Sequence, residues 1–120
     1  MEITDIIYKD MEMIYESIKD YFIHTGGHTW LITGSGGFIG SYFLDFIDYC
    51  NNNVFYEPDK VICIDNYKTG SISRIKHLLS NNNFQFINTD ISKPIELSQH
   101  IDYIVHAASI ASPTYYRKYP

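Results

Sequence analysis

The residues of this 120-residue chain best suited to chemistry are four glycines, Gly34, Gly36, Gly37 and Gly40, within "TWLITGSGGFIGSYFLDFI", Thr29 to Ile47. Read as strand, turn and helix, the stretch is a cradle for an anion. Gly34 lets the chain turn sharply. Gly37 has no Cβ, so backbone N–H groups can come against a diphosphate, and Gly40 lets the helix pack close to the strand. The helix start adds unpaired N–H groups and a partial positive charge. The spacing is G-x-x-G-x-x-G over 34, 37 and 40, not G-x-G-x-x-G. Ser41 and Tyr42 follow where a Walker-type phosphate loop has its Lys. Glycines serving a tight turn without a ligand are the plainer alternative.

A carboxylate gives the second signal. Asp65 closes "KVICID" 25 positions after Gly40, where a dinucleotide fingerprint expects an acid about 20 residues on. The Asn-rich insertion between them accounts for the excess. A carboxylate there accepts hydrogen bonds from the adenosine ribose hydroxyls and repels a 2′-phosphate. That favours NAD over NADP, and no Arg stands beside Asp65 in the sequence to reverse it. Alone, an Asp at a strand end is a turn former.

Positioning these groups requires alternating elements. Ile3, Ile6, Ile7, Met11, Ile14, Ile18, Tyr21 and Phe22 recur at helical spacing, which predicts an amphipathic helix over 3–23, capped by Thr4 or Asp5 and stopped by Gly26-Gly27. Such a helix covers the chain's own sheet or docks a partner. Strands are expected at 29–33, 60–65, 84–88 and 102–107, with helices at 38–50 and, within 69–80, beyond Gly70, and a helical turn at 94–100. Asn51–Asn53 and Asn81–Asn83 read as loops. Strands alternating with helices, and apolar runs such as "VICI" and "YIV", predict an α/β fold. It is a Rossmann-type doubly wound parallel sheet of about four strands, with an extra N-terminal helix. The domain division follows: a helical extension over 1–28 and a dinucleotide-binding domain over 29–120.

Bulk properties narrow the function classes. Hydrophobic residues make up 45% and the formal net charge is −5. The nine Lys and Arg form no basic stripe, so no nucleic-acid partner is expected. Cys50 and Cys63 lack CxxC spacing and read as buried reduced thiols, and the five His are too dispersed for a metal site. No run approaches the ~20 apolar residues of a membrane span. Glu2, Asp5, Asp10 and Glu12 are opposite in charge to a signal or transit peptide, so a cytoplasmic location is expected. Eleven Tyr and seven Phe read as packing.

In order, "TGSGGFIG", "DNYKTG", "NTDI" and "VHAASIASPTYY" resemble the N-terminal half of extended short-chain dehydrogenases/reductases. Within them the chain is most similar to the nucleotide-sugar branch: UDP-glucuronate decarboxylases, dTDP-glucose 4,6-dehydratases and NAD-dependent epimerases. The likeness covers Thr29 to Pro120. It implies NAD as cofactor, with Gly34, Gly37, Phe38, Ile39 and Gly40 at the pyrophosphate and Asp65 and Asn66 at the adenosine ribose. It further implies Tyr67, Thr69 and Gly70 on the adenine side, Asp90 and Ile91 at the adenine ring, and Ala107, Ala108 and Ser109 beneath the nicotinamide half. The substrate implied is a UDP- or dTDP-linked sugar, processed through a transient 4-keto intermediate. "SIASPTYY" is closer to the decarboxylase Ser-Pro-Ala-Ser-Pro pattern than to the dehydratase Glu-Ser-His, but Ile110 departs from its Pro. Arg117 is either a surface residue or a sugar-phosphate contact.

The family's proton transfer uses Tyr-x-x-x-Lys, in which Lys lowers the tyrosine pKa. Tyr15-x-x-x-Lys19 matches the spacing but precedes the first strand, so it reads as accidental, and no catalytic residue is assigned. The expectation is therefore an N-terminal portion of a longer enzyme, inactive by itself. Its fourth strand would be left as an edge open to self-association, consistent with a homo-oligomer. Two alternatives stand beside it: a non-catalytic NAD-binding module complete at this length, and an S-adenosylmethionine-binding fold, against which "DNYKTG" and "HAAS" argue.

Overall fold

The computed structural model describes residues 3–21, 26–66, 72–90, 94 and 96–107. Helix α1 (Ile3–Ile18) precedes strand β1 (Thr29–Thr33), helix α2 (Phe38–Asn53) and strand β2 (Lys60–Asp65). Two short 3-10 turns, Ile72–Arg74 and Lys76–Leu78, lead to β3 (Phe84–Asn88), and β4 (Tyr103–His106) follows. All strand pairs are parallel and the order is β3-β2-β1-β4. That is the first half of the doubly wound order 3-2-1-4-5-6, as the alternating pattern predicted.

Register explains the core. Trp30 lies beside Val61 and Tyr103, and Ile32 beside Cys63 and Val105, so one face of the sheet presents these rows together. Leu44 and Ile47 of α2 close over that face, joined by Ile75, Leu78 and Phe84. Ile62 and Ile64 point to the other face and are also buried. Strand β2 is therefore covered on both sides, the situation for which a continuous apolar run is suited.

A buried acid fastens the amino-terminal edge. The Asp59 carboxylate accepts from the Trp30 indole at 2.7 Å and from the His28 amide at 2.9 Å. Asn51 bonds the Asp59 backbone through both ends of its side-chain amide. Gly26 and Gly27, expected to stop the helix and open a turn, adopt φ of 98° and 77° and clasp Glu57, with the Gly27 amide donating to the Glu57 carbonyl.

Several local expectations are corrected. Helix α1 ends at Ile18, not residue 23, and its buried Met11 packs against Tyr49 and Cys50 of α2, not against the sheet. Hydrogen bonds from Tyr42 to Asp10 and from Tyr8 to Asn53 hold the two helices together. The Asn51–Asn53 run is helical because Asn51 and Asn53 find backbone acceptors, Asp59 and Tyr49. Only two 3-10 turns form within 72–78, since Ile75 breaks the helical path with ψ near 1° as it enters the core. The described residues of 94–100 form no helix, and β4 is limited to Tyr103–His106. Among the described residues, no helix is long and apolar enough to cross a membrane.

Candidate functional site

Because every strand runs the same way, the carboxyl ends of β1 to β4 meet on one edge, where open α/β sheets bind ligands. The glycine loop sits there. Gly34 takes φ 76°, and its amide donates to the Ile64 carbonyl at 2.8 Å, tying the loop to the end of β2. The Gly37 amide turns back onto the Gly34 carbonyl at 3.1 Å, so it is spent inside the loop. Gly37 is the N-cap of α2 and no side chain caps that helix. The first-turn amides, those of Phe38 and Ile39, therefore have no intrahelical acceptor and are the donors the helix start presents.

Gly40 has a different task from the one its spacing suggested. A Cβ on it would stand 2.1 Å from the Gly34 carbonyl oxygen, so its bareness seats the helix on the loop itself. Asp65 is buried, and one of its oxygens accepts from the Gly36 amide at 2.8 Å. The acid that the pattern assigned to ribose hydroxyls thus also fixes the loop. A carboxylate offers about four lone-pair sites, so one bond does not exhaust it.

The remaining expected residues divide cleanly. Asn66 and Asp90 are exposed beyond the ends of β2 and β3. The Thr89 amide donates to the Asp65 carbonyl, which draws the end of β3 to the same edge. Ala107 donates its amide to Thr33, immediately before the loop, so β4 delivers it beside the glycines. Tyr67, Thr69, Gly70, Ile91, Ala108 and Ser109 lie outside the described residues.

Three features were missed by sequence reasoning. Arg74 donates to the Gly36 carbonyl at 3.3 Å, so an Arg reaches the loop although none neighbours Asp65 in the chain. His106 Nδ1 lies 2.6 Å from Thr33 Oγ1 at the same edge. Tyr56-x-x-x-Lys60 is a second pair with catalytic spacing, visible by counting alone. Neither pair belongs to the site: Tyr56 is fully exposed and Lys60, at the amino end of β2, bonds Asn83. Lys19, just past α1, is paired with Glu16.

A dinucleotide fits this chemistry on two observations. Ser35 Oγ is buried in the loop with no hydrogen-bond partner among the described residues, a cost that a polar ligand would relieve. The Gly37 cap, lacking a side chain, leaves the helix start to an outside acceptor.

The parallel sheet, the glycine loop at its carboxyl edge and the acid closing β2 define a Rossmann-type dinucleotide-binding domain. The chain belongs to the NAD dependent epimerase/dehydratase family, whose model matches residues 30–120. NAD, the cofactor expected from the loop, is the cofactor in that family's description. Similar curated proteins include UDP-glucuronic acid decarboxylase 1 of Arabidopsis thaliana, 38% identical over 90 residues. UDP-glucuronic acid decarboxylase 1 of Danio rerio is 34% identical over 90 residues. Each alignment covers 75% of this chain and 19% of the relative, so the chain spans about a fifth of the length of these proteins. Helix α1 lies outside the matched residues.

Proposed function

We propose that the chain is the NAD-binding portion of a nucleotide-sugar-modifying enzyme of the decarboxylase, dehydratase or epimerase kind, acting through a transient 4-keto sugar. Residues 29–120 make the cofactor domain in this reading and 1–28 an extension packed on it. The observation that carries the reading is the loop geometry: Asp65 holds the Gly36 amide at 2.8 Å while the start of α2 remains without a side-chain cap. The Phe38 and Ile39 amides then receive the diphosphate, and Asp65 with Asn66 receives the adenosine ribose. Ala107, a small residue beside Thr33, admits the nicotinamide half. Bound NAD supplies a hydride acceptor. The substrate proposed is a UDP-linked sugar, supported by the names of the relatives.

Calorimetric titration of the chain with NAD tests the reading. Micromolar binding is expected, and no binding would overturn it. A second reading, a non-catalytic NAD-binding module, is favoured by one observation: the lysines of both Tyr–Lys pairs are engaged elsewhere, Lys19 with Glu16 and Lys60 with Asn83. No CO₂ release from UDP-glucuronate is expected of the 120-residue chain with NAD, and release would require a proton-transfer group within it. Self-association is proposed through β4, where Tyr103 is 40% and Ile104 68% exposed. Sedimentation should depend on concentration; a concentration-independent monomer would refute it.

A further inference from the structure

A second recess opens behind the glycine loop. It has a volume of about 720 Å³ and is bounded by Ile7, Phe38, Tyr42, Arg74, Lys76 and His77. We propose that this cleft binds a phosphomonoester carried on a nucleoside, with Arg74 and Lys76 taking the phosphate and the Phe38 ring taking the base.

Charge selects an anion. The chain carries a net charge of −5 with nine Lys and Arg, yet two of those nine line this one recess. The acid within it, Asp45, is hydrogen-bonded to His77 at 2.5 Å, and Arg74 and Lys76 outnumber it. Arg74 rests on a neutral acceptor, the Gly36 carbonyl, at 3.3 Å. That is a long bond, and an anionic oxygen would make a shorter and stronger one with the same guanidinium. Lys76 is exposed on the neighbouring turn.

Shape and apolar surface select a nucleoside as the carrier. Phe38 is 72% exposed and stacks on Tyr42 with centroids 6.2 Å apart and planes 17° from parallel. One ring is thereby fixed by its neighbour while its outer face stays open, a platform on which a base can stack. The volume falls within the roughly 300–1,000 Å³ of small-molecule sites. One wall, Ile7, comes from α1, which the family match does not include. The cleft is therefore particular to a chain that carries this helix.

The phosphomonoester is that of a free mononucleotide, because Asp65, which holds the adjoining loop, repels a 2′-phosphate. Calorimetry on the full chain with 5′-AMP, adenosine and NAD tests this. AMP should bind at least tenfold more tightly than adenosine, and should still bind under saturating NAD. Arg74→Gln and Lys76→Gln should each weaken AMP binding at least fivefold. Lys76→Gln leaves the Arg74–Gly36 bond in place and guards against a loop distortion in Arg74→Gln. An AMP affinity that neither variant changes, or AMP displaced by saturating NAD, would overturn the proposal. NAD binding in that case leaves the cofactor reading standing, and absent NAD binding with an AMP response removes the cofactor reading alone.

Discussion

Replacing Gly40 by Ala tests the seating of α2 on the loop. The added methyl would meet the Gly34 carbonyl oxygen at 2.1 Å, the Gly34 carbonyl carbon at 2.8 Å and Ser35 Cα at 3.0 Å. All three are backbone atoms, so no side-chain rotation relieves the contact. Either α2 lifts or the loop unfolds locally, by roughly 1 Å, against a buried helix face that includes Leu44 and Ile47. Overpacking of this kind costs about 1–3 kcal/mol, and a purely backbone clash belongs at the upper end. A chain of this size has a total stability of roughly 6–18 kcal/mol. At about 4 °C per kcal/mol, a 3 kcal/mol loss lowers Tm by about 12 °C. Circular dichroism melting reads it directly. Gly37→Ala is the control: its φ is −76° and its single close contact is 3.3 Å, so a loss under about 1 kcal/mol is expected. A Gly40→Ala protein melting within 2–3 °C of the parent chain would refute the account of how the helix meets the loop.

Asp59→Ala removes the acceptor of both the Trp30 indole and the His28 amide, and should cost about 3 kcal/mol, read as a shifted urea midpoint at unchanged slope. Burial raises the Asp48 carboxyl above its ordinary value, outweighing His77 and the Asn52 and Asn81 amides that oppose it. Its folded form thus holds a proton more tightly than the unfolded chain, so stability is full below about pH 3.9 and is lost as pH rises through the elevated value. Asp48→Asn should flatten that loss in denaturation curves taken upward from pH 4. Burial pushes the Cys50 thiol up to about 12 and the Cys63 thiol higher still. Both should resist iodoacetamide at pH 8 and label only as the chain unfolds in urea; labelling of the native protein would contradict their burial.

The sheet was legible because its signals are local and repeated: apolar strand runs, each followed by a turn and a helical or polar stretch. "VICI" identified a strand covered on both faces, and Ile62 and Ile64 are buried accordingly. Glycine spacing located the loop but not its internal wiring. That Gly40 faces a carbonyl oxygen rather than a strand side chain depends on how α2 descends, which no sequence period encodes. Position 74 showed nothing special, since Arg74 reaches Gly36 only after the chain has returned past β2. The Asn run misled for a definable reason. Asn is a poor helix former in isolation, yet Asn51 is retained in α2 by two bonds to Asp59, eight residues on.

Gly36 joins these observations. Its amide is held by Asp65 and its carbonyl by Arg74, so the two peptide units that flank the Gly36 Cα are fixed by an anion from β2 and a cation from the turn after it. The arrangement orients the loop by protein contacts alone. Binding then need not order the loop, which spares the conformational entropy that a floppy glycine segment would lose. Under the proposed cofactor reading it also gives Asp65 two tasks, which substitution separates. Asn at position 65 keeps an oxygen for the Gly36 amide but loses the charge that strengthens hydrogen bonds from ribose hydroxyls. Ala loses both. The loop-ordering role therefore predicts a larger fall in thermal stability for Asp65→Ala than for Asp65→Asn, whereas a purely ligand-binding carboxylate would leave both variants as stable as the parent chain.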